Sequence, residues 1–421
     1  MNFIELDRAH ICTIEGRFLI SGESDGYVYV ESIVTSSQCK IPELLSKTAL
    51  PGVHKKLLAC GVNCVDVVQF GARYLVISAG EDGVIYCRVL KVTRTTYEVI
   101  QTIVFEGHTD SIDSICTYLQ KQRKGRPIVD SVSIVSASND GDLRVWRVKI
   151  SSTQDTFVGE LLSIASHRTT MNNVRDMVLV PASKDAYTVS LNVGDRIKVW
   201  SISASTGGIK RIRSLRVSGS KPTAMTSLPP NGMITKLARE QGMLIVGYSN
   251  GRVLLWDTVH ARILNDKSVV DMGAAFAITA IRPLSRLESG DITVPGTTLV
   301  ISGNQEGRVE AWEINTFCGT VPLDHLGNHS PRYHPLEKET YSVLYDSITA
   351  ITTVPSQVFP GAMSFVTGSA NGSVKVWGVD KCTLRDVDEQ QIFEFEDIPT
   401  AKPVRSLLTV GKTIIAGITR I

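Results

Sequence analysis

One pattern returns seven times along the chain of 421 residues, and it limits the fold more than any other feature. A run of apolar residues leads into small residues and a turn. A second apolar run follows and often ends in Trp. It is plain in Leu75-Val-Ile-Ser-Ala-Gly-Glu-Asp-Gly-Val-Ile-Tyr86, in Ile134-Val-Ser-Ala-Ser-Asn-Asp-Gly-Asp-Leu-Arg-Val-Trp146 and in Phe365-Val-Thr-Gly-Ser-Ala-Asn-Gly-Ser-Val-Lys-Val-Trp377. The turn falls at Gly26, Gly83, Gly141, Asp195, Gly251, Gly307 and Gly372, so the gaps are 57, 58, 54, 56, 56 and 65 residues. A mean period of about 58 belongs to solenoids, propellers or arrays.

Each unit reads as a hairpin with flanking strands. Asp-Gly or Asn-Gly between two apolar runs is a strong hairpin signal, because the tight turn needs positive φ. The runs are rich in Val, Ile and Leu with partial alternation, which suits strands. Another β-like run lies upstream of each hairpin, at Ile11–Ile14, Val62–Val68, Ile112–Leu119, Val174–Val180, Ile234–Leu237, Ile278–Ile281 and Ile348–Val354. A variable run lies downstream, such as Tyr97–Phe105 or Ile209–Val217. That makes four strands per unit, without sustained helical periodicity. A lone four-stranded sheet cannot bury two apolar faces, whereas radial stacking covers each face with the next sheet.

The expected fold is therefore all-β: one domain over 1–421, a β-propeller of four-stranded antiparallel blades. Its units fall near 9–61, 62–111, 112–173, 174–231, 232–277, 278–347 and 348–401, with a partial closing unit at 402–421. The last segment, Leu407–Gly417, is similar to Cys12–Gly22, so an eighth unit begins there. Length admits seven or eight blades. Eight is favoured, because two apolar strands left outside a ring would expose hydrophobic surface. Phe3–Leu6 can supply the remaining strand of a closing blade.

At these residues the units resemble the WD-repeat family. The family's turn-Gly to Trp spacing of five stands at Gly141 and Trp146, Gly251 and Trp256, Gly307 and Trp312, and Gly372 and Trp377. Its Trp-Asp pair stands at Trp256-Asp257 and its Gly-His pair at Gly107-His108. In the third unit the resemblance implies a structural hydrogen-bond set. His108 lies in the loop before the inner strand, Ser136 in the second strand, Asp140 in the turn and Trp146 in the third strand. No other unit shows a matching His. The resemblance implies a non-catalytic scaffold or adaptor that holds other proteins in a complex.

Composition excludes several other classes. Hydrophobic residues make up 43% of the chain and charged residues 20%, with a net charge of +2. A disordered chain needs low hydrophobicity and high net charge; a strong nucleic-acid binder usually carries a large basic excess. The longest apolar run, Met272–Ile281, is half the ~20 residues that span a bilayer, and the N-terminus has no apolar signal region. Cytoplasm or nucleus is the expected location. The cysteines Cys12, Cys64, Cys87 and Cys116 sit in apolar runs, as small buried hydrophobes do.

The search for chemistry finds no catalytic, cofactor or metal signature. Gly411-Lys412-Thr413 suggests a phosphate loop, but Ser406 stands where the motif needs its first Gly. His325, His329 and His334 cluster with Asp324 and Cys318, yet Gly327, Pro331 and Pro335 among them read as a surface loop. Cys60 and Cys64 have the wrong spacing for a zinc knuckle. Two basic stretches remain: Lys121, Arg123, Lys124 and Arg126 in the third unit, and Lys210, Arg211, Arg213 and Arg216 in the fourth. With so small a net charge they read first as solvated surface. As one patch they would serve the second functional reading, an auxiliary RNA-associated subunit in RNA modification or ribosome assembly. For the scaffold reading, partner specificity is expected in the long segments Thr35–His54, Ser152–Asp155, Ser285–Gly296 and Cys318–Glu339.

Overall fold

The structure, a computed structural model, describes residues 2–6, 10–34, 43–55, 60–120, 131–150, 156–166, 174–182, 186–227, 242–263, 278–284, 297–307, 309–315, 347–354, 362–380, 392–399, 403–410 and 413–418. Among these residues there is no helix, and thirty strands form eight sheets. The chain starts with β1 (Asn2–Leu6). The first sheet is β2 (His10–Ile14), β3 (Phe18–Gly22), β4 (Val28–Val34) and β5 (Glu43–Ala49). The second is β6 (Val62–Phe70), β7 (Arg73–Gly80), β8 (Ile85–Val92) and β9 (Tyr97–Phe105). The third is β10 (Ile112–Gln120), β11 (Ser131–Ser138), β12 (Asp142–Ile150) and β13 (Phe157–Ser166). The fourth is β14 (Val174–Pro181), β15 (Ala186–Val193), β16 (Arg196–Ser203) and β17 (Ile209–Leu215). The fifth is β18 (Pro222–Ser227), β19 (Met243–Tyr248), β20 (Val253–Asp257) and β21 (Arg262–Ile263). The sixth has three described strands, β22 (Ile278–Leu284), β23 (Thr297–Asn304) and β24 (Val309–Asn315). The seventh is β25 (Ile348–Val354), β26 (Ala362–Ser369), β27 (Ser373–Asp380) and β28 (Ile392–Pro399). The last joins β29 (Val404–Val410) and β30 (Thr413–Ile418) to β1. The fold is an all-β propeller with four-stranded antiparallel blades.

Two sequence expectations need correction here. The first strand of the fifth sheet is Pro222–Ser227, not Ile234–Leu237, which lies outside the described residues. The boundary near 231 therefore moves upstream of 222. Pro222 reads as loop because proline lacks a ladder donor, but the first residue of a strand tolerates it. In the fourth unit Val193 pairs directly with Arg196, so the turn is only Gly194-Asp195, and Gly194 rather than Asp195 takes the positive φ. Within the long segment 35–54, Glu43–Ala49 is the outer strand of the first sheet.

The strands form because each apolar run has two buried faces to fill. All eight residues of β11 are buried. Val132 and Ile134 pack with Ile77, Phe105 and Trp146 toward the second sheet. Val135 and Ala137 pack with Val189, Leu191 and Trp200 toward the fourth. Successive side chains point to opposite faces of a strand, so one continuous apolar run feeds two cores. The closing sheet repeats the device. Ile414, Ala416 and Ile418 meet Val366, Val374 and Val376 of the seventh sheet. Ile415 meets Leu19 and Ile33 of the first.

β1 runs parallel to β30, pairing Asn2 with Thr413 through Leu6 with Gly417. Every other strand pair among the described residues is antiparallel. The cause is the short link from β1 into β2. An inner strand must be entered from a strand of opposite direction, and β30 already has that direction.

The glycine at or next to the end of the second strand in the first and seventh sheets has a packing cause. A Cβ on Gly22 would lie 2.6 Å from Cγ1 of Val62, and one on Gly368 would lie 2.4 Å from Cγ1 of Val404. The first residue of the next inner strand fills the space a side chain would need. Gly22→Ala and Gly368→Ala should each lower stability by about 1–3 kcal/mol through overpacking. Denaturant midpoints with an unchanged m-value would verify this; an unaltered midpoint would refute it.

Candidate functional site

The polar groups with catalytic potential lie inside the blades, and their geometry decides what they can do. In the third sheet His108 Nδ1 meets Asp140 Oδ2 at 2.8 Å and His108 Nε2 meets Ser136 Oγ at 2.9 Å. Trp146 Nε1 donates to the same Ser136 Oγ at 2.8 Å, and the Thr109 amide donates to Asp140 at 3.0 Å. The four residues singled out from sequence thus meet in one network. Burial pushes the His108 pKa down, although Asp140 opposes it. Burial would raise Asp140, but donors from His108, Asp142 and Thr109 outweigh it and hold the carboxyl below its ordinary value.

The second sheet carries a matching set, which corrects the expectation that no other unit has the His. His54 Nδ1 meets Asp82 Oδ1 at 2.8 Å and His54 Nε2 meets Ser78 Oγ at 2.9 Å. Arg88 stands where the third sheet has Trp146, and its Nη1 donates to Ser78 Oγ at 2.7 Å. Its other nitrogens donate to the carbonyls of Pro51 and Gly52 at 2.7 and 2.8 Å. The guanidinium is wholly buried, and burial lowers its pKa to about 10. The sequence hides this set because Val53, not Gly, precedes His54, and Arg replaces Trp. A signal is nevertheless present: Ser78 and Ser136 each lie five residues before the turn Gly, and Arg88 and Trp146 five after it.

Both sets tie one blade to the next. Gly83 has φ +75°, and a Cβ there would lie 2.8 Å from the His108 carbonyl oxygen. Gly26 meets the His54 carbonyl in the same way. The fifth and seventh sheets satisfy their Trp differently: Trp256 Nε1 donates to the Tyr248 phenol at 2.9 Å, and Trp377 Nε1 to Thr367 Oγ1 at 2.8 Å.

An Asp–His–Ser series at hydrogen-bond distance has the connectivity of a hydrolytic triad. Here it cannot act as one. Ser78 and Ser136 are 0% exposed, so no substrate carbonyl reaches either Oγ, and each hydroxyl already accepts a second donor. A nucleophile needs a reacting atom within about 3–3.5 Å.

The inner strands hold three carboxylates with raised pKa values, Asp66 on β6, Asp113 on β10 and Asp176 on β14, each raised mainly by burial. Counted from the equivalent residues Val62, Ile112 and Val174, they stand four, one and two positions along. They therefore lie at different heights and do not converge. Thr117 Oγ1 donates to Asp66 Oδ2 at 2.6 Å across the sheet boundary, and Ser111 Oγ to Asp113 at 3.0 Å. Asp176 takes the amides of Met177 and, from the next sheet, Met225. Burial also raises the thiols of Cys12, Cys64 and Cys116, which are free and protonated. Among the described residues no group of three His, Cys, Asp or Glu side chains can hold a metal ion.

Of the two basic stretches, Lys121, Arg123, Lys124 and Arg126 lie outside the described residues, as do His325, His329 and His334. Lys210, Arg211 and Arg213 are exposed on β17, and none has a carboxylate partner among the described residues. Arg216 bridges Asp195 at 3.1 Å.

Two expected outcomes follow from this geometry. His54→Ala leaves Ser78 and Asp82 without their partner and should cost about 2–3 kcal/mol, read as a lower denaturation midpoint; no loss would contradict the structural role. Burial lifts the Asp176 carboxyl to about 6. The folded state then favours the protonated form, so the group's contribution is complete below about pH 4 and is lost as pH rises through about 6. Asp176→Asn keeps an acceptor and removes the charge. Thermal melts should show it more stable than the parent by about 1–3 kcal/mol near pH 8, and equal near pH 4.

The family described as WD domain, G-beta repeat matches residues 99–147, from β9 through most of β12. No curated protein matches the sequence significantly. Solved structures of similar fold include Saccharomyces cerevisiae Sqt1, with a TM-score of 0.56 at 13% identity over 96% of this chain and 88% of that one. The C-terminal WD40 domain of Sif2 gives 0.53 at 12%, over 97% and 89%. The Dos1 propeller gives 0.51 at 12%, over 97% and 88%. Likeness at such identities concerns fold alone. The chain thus carries one segment that matches the WD domain, G-beta repeat, seated in the second and third of a succession of stacked antiparallel blades, and its fold is a β-propeller.

Proposed function

We propose that the protein is a non-catalytic scaffold or adaptor that brings other proteins together in a complex. The observation that carries this reading is the internal commitment of its reactive groups. The His, Ser and Asp side chains described above bond within or between blades, and among the described residues they leave no poised nucleophile or acid–base pair. What remains for function is a rigid body with loops on two faces and outer strands on its rim, and binding residues favour such positions. Eight blades are the count we favour, with β29, β30 and β1 as the closing one, because that sheet packs on both the seventh and the first. Among the described residues no helix is long and apolar enough to cross a membrane. Cytoplasm or nucleus suits the reduced, buried thiols.

An auxiliary RNA-associated subunit is the second reading, favoured by the exposed cations of β17, which have no carboxylate partner among the described residues. Half of its basic residues lie outside the described ones, and the net charge is only +2. RNA binding that falls steeply with salt would support this second reading over the first.

Affinity purification from native cells, followed by native size separation, tests the scaffold reading. The chain should migrate in a complex well above its own 45.9 kDa, with partners in fixed ratio. Migration as an isolated monomer at native abundance would count decisively against it.

A further inference from the structure

The two faces of the fourth sheet divide its cations. Ile197 and Val199 of β16 pack toward the fifth sheet, and Trp200 and Ile202 toward the third. Successive side chains alternate along a strand, so Arg196 and Lys198 stand on the side of the third sheet. Strand pairing extends this to β17. Ser214 lies opposite Lys198 and Arg211 opposite Trp200, whereas Lys210 and Arg213, opposite Ser201 and Val199, turn to the fifth sheet. Arg216, just after β17, joins the first group through Asp195, which bonds Arg216 at 3.1 Å and Arg196 at 2.9 Å.

Four cations therefore share one face with the hydroxyl of Ser214. Arg211 Nη2 donates to Ser214 Oγ at 3.5 Å, which leaves the hydroxyl proton to be donated elsewhere. Among the described residues the three arginines have one carboxylate between them, Asp195. Lys198 is only 5% exposed, and burial, with Arg211 and Arg196 adding to it, pushes its ammonium below the ordinary lysine value. The positive groups are thus close enough to repel one another. The facing side of the third sheet offers Leu143, Leu162 and Ala165, which are apolar and bring no counter-charge. Apolar walls beside charges of one sign focus their field on what approaches.

We infer that this cluster, Arg196, Lys198, Arg211, Arg216 and Ser214, binds a phosphate group carried on a serine or threonine of a partner protein. Three guanidinium forks, an ammonium and a hydroxyl suit a dianion with three terminal oxygens. A carboxylate would be satisfied by one fork. The side chains of Arg196 and Arg216 are 39% and 62% exposed, so the site is open to a group arriving from outside. As the phosphate enters, Arg216 exchanges Asp195 for it, and an exposed ion pair of that kind is worth little to the fold. Single-stranded nucleic acid, by contrast, wants a track of cations with aromatic side chains for its bases. Here Lys210 and Arg213 point the other way, and Trp200, the aromatic residue of this face of β16, is buried. The inference rests on the scaffold reading and names the chemistry of one of its partners.

The test uses the full chain and a short labelled peptide of Gly, Ala and Asn around one central residue, which is phosphoserine, serine or glutamate. Fluorescence anisotropy should show micromolar binding of the phosphoserine peptide, with the glutamate peptide at least about tenfold weaker and the serine peptide weaker still. Binding should weaken as pH falls from about 7.5 to about 5.5, because the phosphate takes up its second proton near pH 6. Arg211→Ala with Arg216→Ala should weaken the phosphoserine peptide about tenfold or more, with the denaturation midpoint kept. Arg211→Lys, which keeps the charge and loses the fork, should fall in between. Lys210→Ala with Arg213→Ala, on the opposite face, should change binding less than about twofold at physiological salt. Equal affinity for the serine and phosphoserine peptides, no binding at millimolar concentration, or an equal loss from the two double variants overturns the inference. So does inorganic phosphate that binds as tightly as the phosphopeptide, which would make this a site for a free anion. Oligo-uridine that binds more tightly than the phosphopeptide and is lost in both double variants assigns the cations to RNA and overturns it as well. If the native complex persists with Arg211→Ala and Arg216→Ala while the phosphopeptide fails to bind, the phosphate site falls and the scaffold reading stands. Phosphopeptide binding by a chain that migrates alone in native extracts upholds the site and sinks the scaffold reading.

Discussion

Each sheet depends on its neighbour to keep its apolar face from water. A strand such as β11 is buried on both sides, so its residues serve two cores at once. Apolar burial is the main favourable term in folding, and here no blade secures it alone. The constraint reaches the chain ends. The closing sheet must offer apolar residues to the seventh sheet and the first, and it does so by alternation along β30.

Polar groups inside such a stack are costly unless paired. The second and third sheets pair theirs with a His between the turn Asp and a Ser, and the Ser takes a further donor. That this donor is an indole in one sheet and a guanidinium in the other shows that geometry is kept while residue type changes. The buried Arg88 is tolerated because three acceptors receive its nitrogens. The same pairing removes these groups from chemistry. A triad-like sequence of contacts without access for a substrate is a brace.

The rim obeys a different rule. Outer strands have one partner strand instead of two, and their side chains are covered only in part. There the repeat stops constraining residue type, and the strands diverge: β13 is apolar, β17 basic. Function in a propeller is placed where packing leaves the residues free to vary.

The hairpins, the period and the stacked all-β architecture can be read from residue order, because alternation, turn chemistry and Trp spacing are local properties of a strand pair. The set of His108, Ser136, Asp140 and Trp146 was legible only through the resemblance to the WD-repeat pattern, not from spacing alone. Long-range placement decided the remainder. His54 joins Ser78 only because the segment after β5 folds back over the second sheet, and no Gly-His pair marks it. Pro222–Ser227 became a strand because Met243–Tyr248 was there to pair with it. Which neighbouring sheet each of Lys210, Arg211 and Arg213 faces depends on the bulge at Val199 and Trp200, which residue order does not mark. Local sequence sets what each strand can bury; only packing decides which side chains remain at the surface, and beside what.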